Sequence, residues 1–519
     1  MGQQDDKIAA MDASSSSSNN GRALNEDKAT RPSMHRKHSS SFTVSMTGRT
    51  LRQTRTVHKH ILRRVVIPIA ALLALCSIYT TIKSLRLRSA RNAARSSRKL
   101  MGFTDRQLER VPANLRPEAP ALGVEALLSH PLMAEHPSPS CRLNEYQLER
   151  YAPLEPSYGR GRSSPNASAP HYKPRHQIKY LVAINLFDSE YVLPTLIRVF
   201  YRVFVALGPE RFHVSIYENG SNDSTPGQLW LLAQLLDRIG VGYTINSDGE
   251  RKAGWKENKR IVGLSGVRNA ALEPLYSAPI GTFDRIIFIN DVHLCEADLY
   301  ELMLQHEVQS ADMSCGMDFK ELRIPEFEKS GYPLLFYDVW VARDMLGLPF
   351  YNIKRPSGEW VLPSPVMPNS PYRKQYEDRK PFQVFSCFNG VTVLDAWLFL
   401  PPFNLRFHSE GDESDTTSEC YILCSDIWKA LAPWGLDGHP RKNARGARIQ
   451  IVPRASVGYQ TWEYEKARQD RNTTAFELEG QALEQAHREE MIEWQRWPPR
   501  LIQNYPYAKW HMQTEQPPF

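Results

Sequence analysis

Arg285-Ile286-Ile287-Phe288-Ile289-Asn290-Asp291-Val292-His293-Leu294-Cys295-Glu296-Ala297-Asp298 is the stretch on which the fold turns. Four apolar residues, Ile286 to Ile289, bounded by polar ones predict a short buried strand and not a helix. The strand ends in Asn290 and Asp291, with His293 two residues on and Glu296 and Asp298 opening the next element. Ligands of an open parallel sheet gather outside the carboxyl ends of its strands. A carboxylate and an imidazole placed there can hold a divalent cation against a diphosphate. The alternative for Asp291 is a plain cap on the helix expected from Ala297.

Outward from this strand the pattern alternates. Lys179–Leu186 predicts a buried strand and Tyr191–Val205 an amphipathic helix. Phe212–Glu218 is a second strand, and Asn219–Pro226 is a turn whose proline suits the start of a helix reaching Ile239. Val241–Asn246 is a third strand, and Leu264–Ala270 opens another helix before the Arg285 strand. Further on, Phe385–Leu394 and Arg448–Tyr459 read as strands, Tyr421–Leu431 as a helix, and residues 350–380 as a loop or lid. Strands and helices in alternation imply an α/β fold, a doubly wound and mostly parallel sheet.

Several residues at element ends carry chemistry. Glu218, Asn219, Gly220 and Ser221 offer a carboxylate, an amide and a flexible backbone to a nucleobase or ribose, or they form an ordinary turn. Arg268 and Asn269, read as lying near a helix N-terminus, are candidates for a diphosphate; a surface arginine is the plainer reading. Asp318 and Asp338 sit in apolar, aromatic settings, where a carboxylate needs a partner such as Arg343. Asn389-Gly390 accompanies a strand, and Glu419 either caps its helix or faces a reacting centre.

The chain of 519 residues has a formal net charge of +7, unevenly placed. Residues 1–100 hold 19 Lys/Arg against 5 Asp/Glu, so the remainder is net acidic. No basic stripe with interleaved aromatics occurs in the body, which excludes a nucleic-acid-binding class. Residues 1–64 are polar and low in complexity, and are expected to be a disordered tail. Residues 65–82 carry no charge and are long enough to span a bilayer, with the pair Arg63-Arg64 before and basic residues after. Basic residues are balanced across that span, so the positive-inside rule leaves its orientation open. Six body cysteines and the sequons at Asn166 and Asn472 favour a body facing an oxidising lumen. Residues 83–175, rich in proline, are expected to form a semi-rigid stem with a few short helices; 461–519, charged and rich in tryptophan, a peripheral helical extension.

Seven motifs in order run Tyr217-Glu218-Asn219-Gly220-Ser221, Gly266-Val267-Arg268-Asn269, Phe288-Ile289-Asn290-Asp291-Val292, Cys315-Gly316-Met317-Asp318-Phe319, Phe336-Tyr337-Asp338-Val339-Trp340, Cys387-Phe388-Asn389-Gly390 and Ser418-Glu419-Cys420. Over about residues 178–460 this set resembles the fungal capsule-associated α-1,3-mannosyltransferase-like family, glycosyltransferase family 69. The resemblance implies a GT-A-like domain at 176–460 in a single-pass type II Golgi membrane protein. It implies GDP-mannose as donor and an α-1,3 linkage to a glycan or polysaccharide acceptor, made with retention. Asp291, Asp318, Asp338 and Glu419 become catalytic candidates, and Glu218 to Ser221, Arg268, Asn269, Asn290, Asn389 and Gly390 donor-binding ones. One departure stands out. A D-x-D motif has two carboxylates, whereas this chain has Asp291 followed by His293. A cation held by that pair suits Mn2+ better than Mg2+. The single carboxylate also leaves room for two other readings, a non-catalytic membrane-anchored subunit and a transferase using another nucleotide sugar.

Overall fold

The computed structural model describes residues 98–101, 111–115, 122–155, 177–247, 260–321, 328, 332–350, 366–367, 370–409, 417–431, 445–470, 490–503 and 510–512. The tail at 1–64, the span predicted at 65–82 and both lone sequons, at Asn166 and Asn472, lie outside the described residues. Among the described residues no helix is long and apolar enough to cross a membrane.

The strands of the main sheet are β1 (Arg98–Met101), β2 (Tyr180–Leu186), β3 (Phe212–Glu218), β4 (Gly242–Ser247), β5 (Arg285–Ile289), β6 (Met313–Glu321), β7 (Leu334–Phe336), β8 (Arg343–Asp344), β9 (Phe382–Ser386), β10 (Val391–Asp395) and β11 (Ile449–Gly458); Leu501–Gln503 and Trp510–Met512 pair separately. They join in the order β1-β4-β3-β2-β5-β10-β6-β11-β9-β8, with β7 beside β6. From β1 to β5 every neighbour is parallel. Beyond β5 the sheet is mixed, because β10 enters antiparallel between β5 and β6. The sheet is mixed, with its parallel pairs running from β1 to β5 and again between β6 and β11.

The cause is local. The run read as one strand over 385–394 breaks into β9 and β10, because Asn389 and Gly390 between them both adopt left-handed backbone, φ 53° and 78°. β11 contains Pro453, which has no N–H to donate, and its register against β6 shifts between Ile451 and Ser456.

Side chains alternate faces along each strand, and two cores result. Val182, Ile184 and Leu186 of β2 face one core with helices α1 (Leu193–Leu207), α2 (Thr225–Ile239) and α4 (Glu296–Gln309). Leu181 and Ala183 face the other, with α3 (Arg260–Ala271) and α5 (Glu419–Leu431). This is the doubly wound layering. Pro226 stands at the start of α2, and Gly240, with φ 82°, closes it in a left-handed cap.

Two boundary expectations are corrected. Residues 111–115 and 122–155, assigned to the stem, are part of the folded body: Val111, Leu115, Leu127, Met133, Tyr151 and Leu154 are buried in the first core. Cys141 is joined to Cys295, with Cα atoms 5.4 Å apart. Arg150 is 1% exposed and bidentate to Glu301, both distances being 2.6 Å. The apolar residues of this segment come one or two at a time between prolines, so no periodic run betrays the burial. The carboxyl-terminal extension is likewise not merely peripheral. Helix α6 (Thr461–Asp470) is followed at 490–503 by segments that bury Glu490 and Ile502.

Candidate active site

In the strand order β4-β3-β2-β5, the chain reverses direction of winding between β2 and β5. Ligands of such sheets sit in the crevice at this point. The carboxyl ends of β2, β3, β4 and β5 line one rim there, and the predicted residues fall into two groups along it.

On the β3 side, Glu218 is the last strand residue and fully buried. Its carboxylate accepts from the backbone N–H of Ser221 and from the hydroxyl of Ser247. Glu218 thus shapes the 219–221 turn, correcting the expectation that its carboxylate itself receives the nucleoside. The turn is laced to the loop after β2: Ser221 Oγ accepts from the Asp188 N–H at 2.9 Å, and Asp188 Oδ1 from the Asn222 N–H at 2.7 Å. Asp188 holds φ 47° and Gly220 φ 78°. The rim offered outward is Gly220, Asn222 and half-buried Asp188. Nothing in the sequence around Asp188 marks it, since its partners lie over thirty residues away.

On the β5 side, Asn290 donates its N–H to Gly390 O at 2.8 Å and accepts from Arg268 Nη1 at 3.0 Å. Arg268 Nε also donates to Glu419 Oε1 at 2.8 Å. The guanidinium is sandwiched among Phe288, Phe388 and Phe407, 4.6 to 5.6 Å from the ring centroids. Burial works against its charge, but Cys420, Glu419 and Asp338 outweigh burial and hold it protonated. Arg268 lies in the last turn of α3, not the first, so the helix-dipole argument for it falls. Asn269 does not join the site. Its side-chain amide donates to Phe407 O at 2.7 Å and accepts from Phe407 N at 3.1 Å, bracing that loop.

Asp291 is half-buried and accepts the Tyr191 hydroxyl at 3.1 Å. Burial pushes its carboxyl upward, while Tyr191, Arg268 and Lys320 pull it back. The cap alternative is closed: the helix cap is Cys295, whose N–H Asp298 accepts at 2.8 Å. His293 is 1% exposed, with Nδ1 3.0 Å from the Thr195 hydroxyl and its ring against Tyr191. Burial lowers its pKa to about 4. It is a core imidazole packed under α1.

Asp318 and Asp338 come together. Asp318 Oδ1 accepts the Asp338 N–H at 3.2 Å, and Oδ2 accepts the Tyr459 hydroxyl at 3.0 Å. Asp338 Oδ2 accepts the Asn389 N–H at 3.0 Å, and Asn389 Nδ2 donates to Gly316 O at 2.8 Å. A Cβ on Gly390 would lie 2.7 Å from Val457 and 3.4 Å from Asp318, so glycine is required where this turn passes the pair. Burial, then the neighbouring Asp338, raises Asp318 well above the carboxylate range. Asp338, which is half-buried, is pushed up to about 6 by burial and by Glu419, against the Asn389 N–H and Arg268. Arg343, expected as their partner, instead donates to the carbonyls of Val339, Ala342 and Gln503.

Asp291 is the carboxylate at this rim that would hold a divalent cation. Among the described residues the single close set of three potential donors is Cys141, Cys295 and Glu296, and those cysteines are disulfide-bonded. One carboxylate suits a cation that takes its remaining ligands from a diphosphate and water.

The sequence profile described as "Cryptococcal mannosyltransferase 1" matches residues 179–426. The alpha-1,3-mannosyltransferase CMT1 of Cryptococcus neoformans is 31% identical over 388 residues, 71% of this chain and 72% of that protein. Among solved structures, a mannosyltransferase from Pyrobaculum calidifontis, PcManGT, in complex with GDP-Man and Mn2+ is 12% identical, covering 69% of this chain and 77% of that one at a TM-score of 0.30. TarS of S. aureus in complex with UDP is 13% identical, covering 60% and 70% at a TM-score of 0.29. Both structural likenesses are remote.

Proposed function

The chain belongs to the cryptococcal mannosyltransferase family, and on that premise we propose that it moves mannose from GDP-mannose to a glycan or polysaccharide acceptor, forming an α-1,3 linkage with retention. It is a glycosyltransferase. The observation that carries the site is Asp291, a half-buried carboxylate at the end of β5 where the strand order reverses, with Arg268 behind it through Asn290.

The nucleoside lies along the rim of Gly220, Asn222 and Asp188, with the diphosphate at Asp291. Asp291 would hold a divalent cation there, which would supply charge neutralisation for the departing diphosphate. Tyr191 fixes the Asp291 carboxylate, and Arg268 fixes Asn290 beside it. Retention demands attack on the face that the diphosphate leaves, or a nucleophilic carboxylate. Of the three catalytic candidates besides Asp291, Glu419 is tied to Arg268 and Asp318 is closed over by Tyr459. Asp338 is the one left to meet an acceptor hydroxyl. Asp318 behind it, its pKa raised by burial and by Asp338, accepts the Asp338 N–H and holds that backbone in place.

The body folds in the lumen of the Golgi, anchored by 65–82 as a type II protein. Two disulfides, Cys141–Cys295 and Cys315–Cys387, support an oxidising compartment.

Full-length protein in detergent, offered GDP-mannose, GDP-fucose, UDP-glucose and UDP-xylose with Mn2+, should turn over GDP-mannose at least tenfold faster than the others and slow on chelation. Preference for a uridine donor would overturn the donor assignment; no turnover and no GDP-induced thermal shift would make the chain a non-catalytic subunit. With the preferred donor, kcat/KM should rise with pH through about 6 as Asp338 ionises. A flat profile from 5 to 8 would remove Asp338 from the proton-accepting role.

A further inference from the structure

The carboxylate pair has an aromatic neighbour that the mechanism above leaves unused. Tyr337, directly before Asp338, is 47% exposed, while Phe336 and Val339 on either side of the turn are buried. The exposed ring is nevertheless held from several directions. Its backbone N–H donates to Asp318 O at 3.0 Å, and its carbonyl accepts the Val339 N–H at 2.8 Å. Tyr459 meets the ring edge to face, centroids 4.9 Å apart, and the hydroxyl of that same Tyr459 donates to Asp318. The Lys320 ammonium lies 5.0 Å from the Tyr337 centroid and 5.5 Å from that of Tyr459. Lys320 and Asp318 are two apart on β6 and so project to the same face.

A large aromatic surface fixed in place yet open to solvent fits a ligand better than it fits the core. A pyranose presents a face of C–H groups, which settle on the electron-rich face of an aromatic ring while the hydroxyls at the rim keep their hydrogen bonds. The donor sugar belongs with its diphosphate at Asp291, at the end of β5. Tyr337 follows β7, which pairs with β6, and β6 is separated from β5 by β10.

Resting on the glycosyl-transfer reading, we propose that Tyr337 is the platform on which the acceptor sugar stacks, presenting its hydroxyl to Asp338. Tyr459 and Lys320 keep the ring upright. The ring, and not its hydroxyl, does the binding.

The test compares full-length wild type with Tyr337→Ala and Tyr337→Phe, using α-1,3-mannobiose as acceptor and following transfer and water hydrolysis of GDP-mannose together. Tyr337→Ala should raise the acceptor KM about tenfold, the size of one stacking interaction, and lower the ratio of transfer to hydrolysis by a similar factor. Tyr337→Phe should stay within about twofold of wild type. An unchanged acceptor KM in Tyr337→Ala overturns the platform, as does a Phe variant impaired as badly as Ala. Should wild type neither transfer nor hydrolyse, the functional reading fails. The platform is then read alone by saturation-transfer NMR of mannobiose with GDP present. A sugar signal that vanishes in Tyr337→Ala and persists in Tyr337→Phe sustains it, and any other pattern sinks it.

Discussion

Asp291→Asn should cut sugar transfer by about a hundred- to a thousandfold, with the melting temperature held within a few degrees of wild type. The substitution keeps the volume of the side chain and leaves an oxygen for the Tyr191 hydroxyl, 3.1 Å away in the native protein. What it removes is the negative charge. Losing one preorganised group that meets developing charge costs about a hundred- to a thousandfold in rate, and a cation held by that carboxylate would go with it. Burial already disfavours the Asp291 charge, so neutralising it does not remove a stabilising ion pair. kcat/KM with GDP-mannose and thermal unfolding measure the two halves. A variant active to within tenfold of wild type would move the reacting centre elsewhere on the rim.

The second large effect is on stability. Arg150→Leu should destabilise the body by about 3–5 kcal/mol, the usual consequence of stranding one half of a buried ion pair. Arg150 reaches from the segment between β1 and β2 to Glu301 of α4, and its Nη2 also meets Glu490 at 3.2 Å from the far end of the chain. Burial alone would raise the Glu301 pKa, but the Arg150 guanidinium outweighs burial and brings it to about 2. A carboxyl whose pKa is depressed on folding stabilises the native state fully above its unfolded pKa, near 4.5, and loses that contribution as pH falls toward 2. The contribution is about 3 kcal/mol. Urea titrations from pH 6 to pH 3 should show a steep loss of wild-type stability that flattens in Arg150→Leu. Equal slopes would mean that Glu301 is held by something other than Arg150.

Local signals were enough to place most of the sheet. Phe212–Glu218 and Arg285–Ile289 are observed with the bounds expected of them, because each apolar run is closed by polar or turn residues that a strand interior rejects. The run over 385–394 misled, since only the backbone conformation of Asn389 and Gly390 separates its halves. Arg268 misled for a related reason: α3 begins at Arg260, before Leu264, where the sequence predicts the helix to open. Seven motifs converge on one edge, and most of their residues do meet. Which atoms remain available is another matter, decided by partners distant in sequence. Glu218 is occupied by Ser247, and Asp291 is steadied by Tyr191, one hundred residues before it. Asp318 is covered by Tyr459. Composition and spacing carry no trace of such pairings.

The two disulfides also divide the site by covalent connectivity. Cys141–Cys295 closes a ring holding β2 to β5, and with them Glu218, Asp188, Arg268 and Asp291. Cys315–Cys387 closes a separate ring, not overlapping the first, that holds Asp318, Tyr337 and Asp338. The rim assigned to the donor and the platform assigned to the acceptor thus belong to two independent loops of the same chain. A single backbone cut inside either ring leaves the protein one covalent molecule, and the half of the site in the other ring is untouched. Asp291 lies four residues before the clasp of the first ring, which ties the end of β5 to the segment at Cys141.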